Sequence, residues 1–146
     1  MIIAVDTDVL VHWQMSGAVH HRAVRDFFDH QVGEKGVRLG LTAQVLHEFM
    51  HVTTDSRRFP APMPMPAAIR RSRELWDSPD VVRLWPGAEV FHRTLALQQE
   101  RGLGRKRILD TAFAATLESA GVKRIATLNG RDFEIFDFLE VVNPTV

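Results

Sequence analysis

The run Ile2-Ile3-Ala4-Val5, closed by Asp6-Thr7-Asp8, constrains the fold more than any other stretch of the chain. Its β-branched residues favour a strand over a helix. A short apolar run without polar alternation suits a central strand of a parallel sheet, covered by helices on both faces. Asp6 then falls at the strand's C-terminal end. In open α/β sheets that edge binds ligands, so a carboxylate there is a functional candidate. The competing role is structural, with Asp6 capping a turn and Asp8 in solvent.

The rest of the chain alternates between strand and helix patterns. Residues 13–17 read as a loop and 18–32 as a helix, with Val24, Phe27, Phe28 and Gln31 at helical spacing and Gly33 and Gly36 at its end. A strand over 37–41 leads to Thr42, a plausible N-cap for a helix reaching about residue 55. Prolines 60, 62, 64 and 66 make 57–66 an extended loop, and Pro66 can start the next helix, to about residue 76. A strand over 81–85, a helix over 88–101, a glycine-containing loop and an alanine-rich helix over 108–120 follow, the last stopped by Gly121. Residues 123–127 and 139–142 read as strands, with an Asn129-Gly130 turn between them. Such an order predicts an α/β fold, a three-layer α/β/α sandwich with a mainly parallel central sheet. At 146 residues the chain fits one domain, 1–146.

Composition narrows the function classes. Eighteen basic and eighteen acidic residues balance, so a nucleic-acid partner must be held by a local patch. Cysteine is absent, which excludes disulfides, thiolate zinc sites and a cysteine nucleophile. No basic region precedes the first apolar run, and Asp6 breaks that run far short of a signal or membrane-spanning segment, so a cytoplasmic location without a membrane partner is expected.

Three acids stand out by position. Asp6 ends the first strand. Glu48 shares the apolar stripe of Val45, Phe49 and Val52, and Asp110 lies in the first turn of a helix, where the dipole favours its ionised form. Carboxylates brought together repel unless a cation joins them, and oxygen-only ligands suit Mg²⁺ and Mn²⁺. Each acid also has a plain explanation: Glu48 reaching solvent or an arginine, Asp110 capping its helix. Basic residues fall in two groups. Arg101, Arg105, Lys106 and Arg107 precede Asp110, while Arg57, Arg58, Arg70, Arg71 and Arg73 form a second group. Trp13, Trp76 and Trp85 are either core residues or stacking platforms for bases.

Asp6-Thr7 after an apolar strand, Glu48 in the helix begun at Thr42, Asp110 in RILDTAFAATLESAG and the segment RIATLNGRDF together resemble a PIN-domain ribonuclease. The length and the proline-rich middle resemble the VapC-type toxins of toxin-antitoxin pairs. The resemblance spans essentially the whole chain. It implies an endoribonuclease that hydrolyses RNA phosphodiesters with Mg²⁺ or Mn²⁺. Asp6, Glu48 and Asp110 match the metal-holding acids, and Arg105, Lys106 and Arg107 would bind RNA. It further implies a homodimer and a VapB-type antitoxin whose C-terminal segment covers the active-site groove. Two positions depart from the pattern: Asn129 stands where a fourth acid is usual, and Asp8 where Asn or Ser is usual. Asp132 could compensate for Asn129, and Thr7, Asp8 and Thr127 would support the site.

Three other readings stay open. His47-Glu48-x-x-His51 fits the HExxH pattern of zinc metalloproteases, although no third ligand has motif support. Asp6-Thr7-Asp8-Val9 resembles the nucleophile loop of haloacid-dehalogenase-like phosphatases, which also needs a well-placed lysine. A non-catalytic PIN-like module that binds RNA is the third, suggested by Asn129.

Overall fold

The computed structural model describes residues 1–146. Strand β1 (Ile2–Val5) is the centre of a five-stranded sheet ordered β3-β2-β1-β4-β5, where β2 is Arg38–Thr42, β3 Val81–Leu84, β4 Arg124–Ala126 and β5 Glu140–Val142. All four pairings are parallel. On β1, Ile3 lies opposite Leu39 of β2, and Ala4 is flanked by Gly40 of β2 and Ile125 of β4. The expected sandwich is therefore present, with a sheet that is wholly parallel.

Strand periodicity assigns the two helical layers. Ile3 and Val5 face one side, where they pack with Val9 and Leu10 of α1 (Thr7–Gln14), Val24 and Phe28 of α2 (His21–Phe28), Val45 and Phe49 of α3 (Ala43–Thr53) and Leu75 of α4 (Met65–Asp77). Ala4 faces the other side and joins Val90 and Leu97 of α5 (Ala88–Glu100) with Ala114, Ala115 and Leu117 of α6 (Ile108–Ser119). Ile3, Ala4 and Val5 are fully buried, as a two-faced central strand requires. Phe28 and Phe49 are buried too, each burial contributing roughly 1.5–3 kcal/mol.

Local chemistry explains most boundaries. Thr42 Oγ1 accepts the Val45 N–H at 3.1 Å and starts α3 as anticipated. Pro66 sits in the first turn of α4, where its missing N–H costs nothing. Helix α6 ends with Gly121 at φ +71, the Gly121 N–H bonding to Glu118 and the Val122 N–H to Leu117. This 5→2 and 6→1 pair is a Schellman closure, and buried Val122 and Leu117 supply its apolar contact.

Two elements differ from the sequence expectation. Residues 7–14 form helix α1, so Trp13 is helical and the loop begins only at Met15. Thr, Val and Trp are indifferent helix formers, and the helix exists because Val9, Leu10 and Val11 bury against the core. The helix expected over 18–32 starts at His21 and leaves α-geometry after Phe28, continuing as a π-helical segment, Asp29–Glu34, that takes Gly33 inside it.

Candidate active site

Connections leave β1 towards β2 and β3 on one side, while β4 and β5 lie on the other. The C-terminal ends of β1 and β4 therefore flank a topological switch point, the usual crevice for a ligand in such sheets. Asp6 stands at that end of β1 and Thr127 directly after β4. An open cleft of about 490 Å³ lies there, bordered by Asp6, Asp8, Glu48, Asp110, Asn129 and Asp132 among other residues.

Asp6 is the N-cap of α1, its Oδ1 accepting the Thr7 N–H at 2.9 Å. Its Oδ2 accepts the Thr127 hydroxyl at 2.8 Å. Glu48 reaches the same cleft from α3: Oε2 accepts the Thr7 hydroxyl at 2.8 Å and Oε1 the Gln44 amide at 3.0 Å. Asp110 enters from the first turn of α6. Asp8 Oδ1 accepts the Val9 N–H and Oδ2 the Asn129 amide, both at 2.7 Å. Thus the three metal-candidate acids and the three supporting residues, Thr7, Asp8 and Thr127, assemble around one crevice.

Charge is costly there. Burial pushes the Asp6 carboxyl up to about 6, with Asp8 and Glu48 adding to the rise and hydrogen bonds from Thr127 and Thr7 opposing it. Asp110 is likewise pushed up to about 6, by burial first, then by Asp132, Asp6 and Glu48, against the opposing pull of Arg107. Burial also raises Asp8. Mutual repulsion inside a partly desolvated crevice is a standing attraction for a cation.

The basic residues divide. Arg105 and Lys106 are exposed on a 3₁₀ turn, Arg105–Arg107, immediately ahead of Asp110. Arg107 is engaged within the protein, donating to Asp132 Oδ1 at 2.6 Å. Asp132 therefore borders the cleft with its charge already countered. Of the second basic group, Arg58 borders the cleft, Arg57 pairs with Asp55 and Arg71 holds Gln14 and Glu74.

Sequence reasoning missed His12 and Phe59, which also border the cleft. His12 lies four residues after Asp8, on the same face of α1, so recognising that helix would have found it. Its Nδ1 accepts the His20 N–H at 3.2 Å, and burial together with His20 holds it below the usual histidine range. The tryptophans do not border the cleft. Trp13 packs on Phe28 with ring centroids 4.5 Å apart, and Trp76 pairs with Trp85 at 5.9 Å.

The same geometry bears on the competing readings. Glu48 turns into the acid cleft, whereas His47 and His51 are exposed and outside it. No lysine borders the cleft beside Asp6 and Asp8, as the phosphatase chemistry would need.

No family model matches the chain. In sequence it is 26% identical over 140 residues to Ribonuclease VapC33 of Mycobacterium tuberculosis, across 96% of this chain and 94% of that protein. In structure it matches VapBC-1 from nontypeable Haemophilus influenzae with a TM-score of 0.69 over 100% of both chains, at 16% identity. The chain is VapC-like in sequence and in fold. The VapC-like fold also matches VapBC2 from Rickettsia felis, bound to a DNA fragment from its promoter, with a TM-score of 0.62 at 14% identity over 98% of both chains. A third match is M. tuberculosis VapC20, a sarcin-ricin loop cleaving toxin, with a TM-score of 0.60 at 18% identity over 86% of this chain and 87% of that one.

Proposed function

We propose that the chain is an endoribonuclease of the VapC type, hydrolysing RNA phosphodiesters with Mg²⁺ or Mn²⁺, and the toxin of a toxin-antitoxin pair. One observation carries this: Asp6, Glu48 and Asp110, far apart in sequence, border a single cleft at the switch point of the sheet. Their chemistry fits the ion. The donors are all carboxylate oxygens, and two of them have carboxyls pushed up to about 6 by burial and by neighbouring acids. No three acids form a ready-made cage; like charges stay apart until a cation joins them.

Bound there, the cation would polarise a phosphate and make water a better nucleophile. Asp6, Glu48 and Asp110 would hold it. The Thr127 and Thr7 hydroxyls fix the directions of Asp6 and Glu48. Arg105 and Lys106 offer charge to the RNA backbone beside Asp110, with Arg58 bordering the cleft and Arg107 held on Asp132, which meets the need for a local patch on a neutral protein. Asn129 and Asp132 would assist from the cleft border.

A relative named a ribonuclease and neighbours solved as VapBC assemblies support the activity and a VapB-type antitoxin as partner. The homodimer and the cytoplasmic location belong to the same proposal and rest on the resemblance. No helix is long and apolar enough to cross a membrane. Incubating a panel of structured RNAs with the purified chain in Mg²⁺ and in EDTA tests the activity. Cleavage is expected only with the cation. Cleavage that survives EDTA, or RNA bound and never cut, contradicts it.

A further inference from the structure

Three hydrogen bonds tie the turn after β4 to the turn after β1. Thr127 Oγ1 donates to Asp6 Oδ2 at 2.8 Å and accepts the Asn129 N–H at 3.0 Å. Asn129 Nδ2 then donates to Asp8 Oδ2 at 2.7 Å. The turn after β4 thereby grips both aspartates of the turn after β1, one through a hydroxyl and the other through an amide.

We infer that Asp8 is a fourth cation-holding carboxylate of the cleft and that Asn129 is its positioning residue. This rests on the metal-dependent reading of the site given above. An ionised carboxylate only accepts hydrogen bonds, so the side chain facing it at 2.7 Å must be a donor. An aspartate at 129 would set two like charges against each other at that distance. Positions 8 and 129 therefore accommodate one acid and one amide between them, and either order satisfies the contact. Asp132 is less suited to the fourth place, because the Arg107 guanidinium 2.6 Å from its Oδ1 already counters its charge, whereas both donors on Asp8 are neutral.

Asp8 is fixed from both sides, with Val9 N–H on Oδ1 and Asn129 on Oδ2, and it borders the cleft together with Asp6, Glu48 and Asp110. It lies in the first turn of α1, where the helix dipole favours a negative charge. A carboxylate held in this way has its direction at the cleft border fixed. Its amide partner stands to it as an outer partner stands to a metal ligand, a relation whose loss costs about 10–100-fold in affinity.

The test is Mn²⁺ affinity by titration calorimetry, with circular dichroism in EDTA to verify folding. Asp8→Asn should weaken Mn²⁺ by about tenfold or more, and Asn129→Ala by a similar or smaller factor. The exchange variant Asp8→Asn/Asn129→Asp should bind within about threefold of the natural chain, a recovery that a merely structural hydrogen bond would not produce. Asp8→Ser, which keeps an acceptor for the Val9 N–H, replaces Asp8→Asn should the latter not fold. Unchanged affinity in the Asp8 variant, or an exchange variant as weak as Asp8→Asn alone, overturns the inference. Asp6→Asn separates the two claims. If it loses Mn²⁺ while Asp8→Asn does not, only the role of Asp8 fails; if the natural chain binds no Mn²⁺, the metal-dependent reading fails with it.

Discussion

Asp6 holds its carboxylate where burial, Asp8 and Glu48 all disfavour the charge, and its carboxyl rises from the ordinary 3.8 to about 6. Between those values the folded chain binds a proton that the unfolded chain has released. The associated stability is fully present below about pH 4 and is lost as pH rises through 6. Asp110 acts in the same direction. Urea unfolding in EDTA should accordingly show these groups destabilising the protein at pH 7 relative to pH 5. Asp6→Asn should raise stability at pH 7 by on the order of 1–3 kcal/mol while leaving pH 4 nearly unchanged. A variant less stable than the natural chain at pH 7 would mean that Asp6 is there for the fold. Arg107 has the opposite influence, lowering Asp110 while paired with Asp132. Arg107→Ala should push the Asp110 carboxyl further up, followed by carbon NMR of labelled aspartates in EDTA; a downward move would contradict the arrangement. None of these couplings was legible in the sequence, since Arg107 and Asp132 are joined only by the fold.

Among the elements, the strands and α3 to α6 were readable because their signals are local. Thr42 caps, Pro66 starts, Gly121 stops, and the strands are short apolar runs between turn residues. Helix α1 was not readable, because its eight residues include Thr, two Val and Trp, and its formation depends on burying Val9, Leu10 and Val11 in a core contributed by distant segments. The cost of missing it was functional, for it carries both Asp8 and His12 into the cleft. The closure of α6 is local chemistry that a single substitution can probe. Gly121 has φ +71 and open space where a side-chain methyl group would stand, so Gly121→Ala meets backbone strain and no clash. A loss of about 1–2 kcal/mol is expected by thermal or urea unfolding. A neutral result would show that the turn tolerates another conformation.

At the scale of the molecule, the sheet order explains why one crevice collects the site. Chain reversal about β1 places the ends of β1 and β4 side by side, α3 delivers Glu48 from one layer and α6 delivers Asp110 from the other. Each acid was visible in the sequence as an oddity of position; their meeting followed from the resemblance and is found in the fold. We propose that this meeting point cuts RNA through a bound divalent cation. The most direct measurement is the cleavage rate of a structured RNA in Mg²⁺ or Mn²⁺ by the natural chain, Asp6→Asn and Asp110→Asn, each verified as folded. Cleavage by the natural chain and a loss of at least about a hundredfold in either variant are expected. Cation-dependent cleavage retained by both folded variants would contradict it.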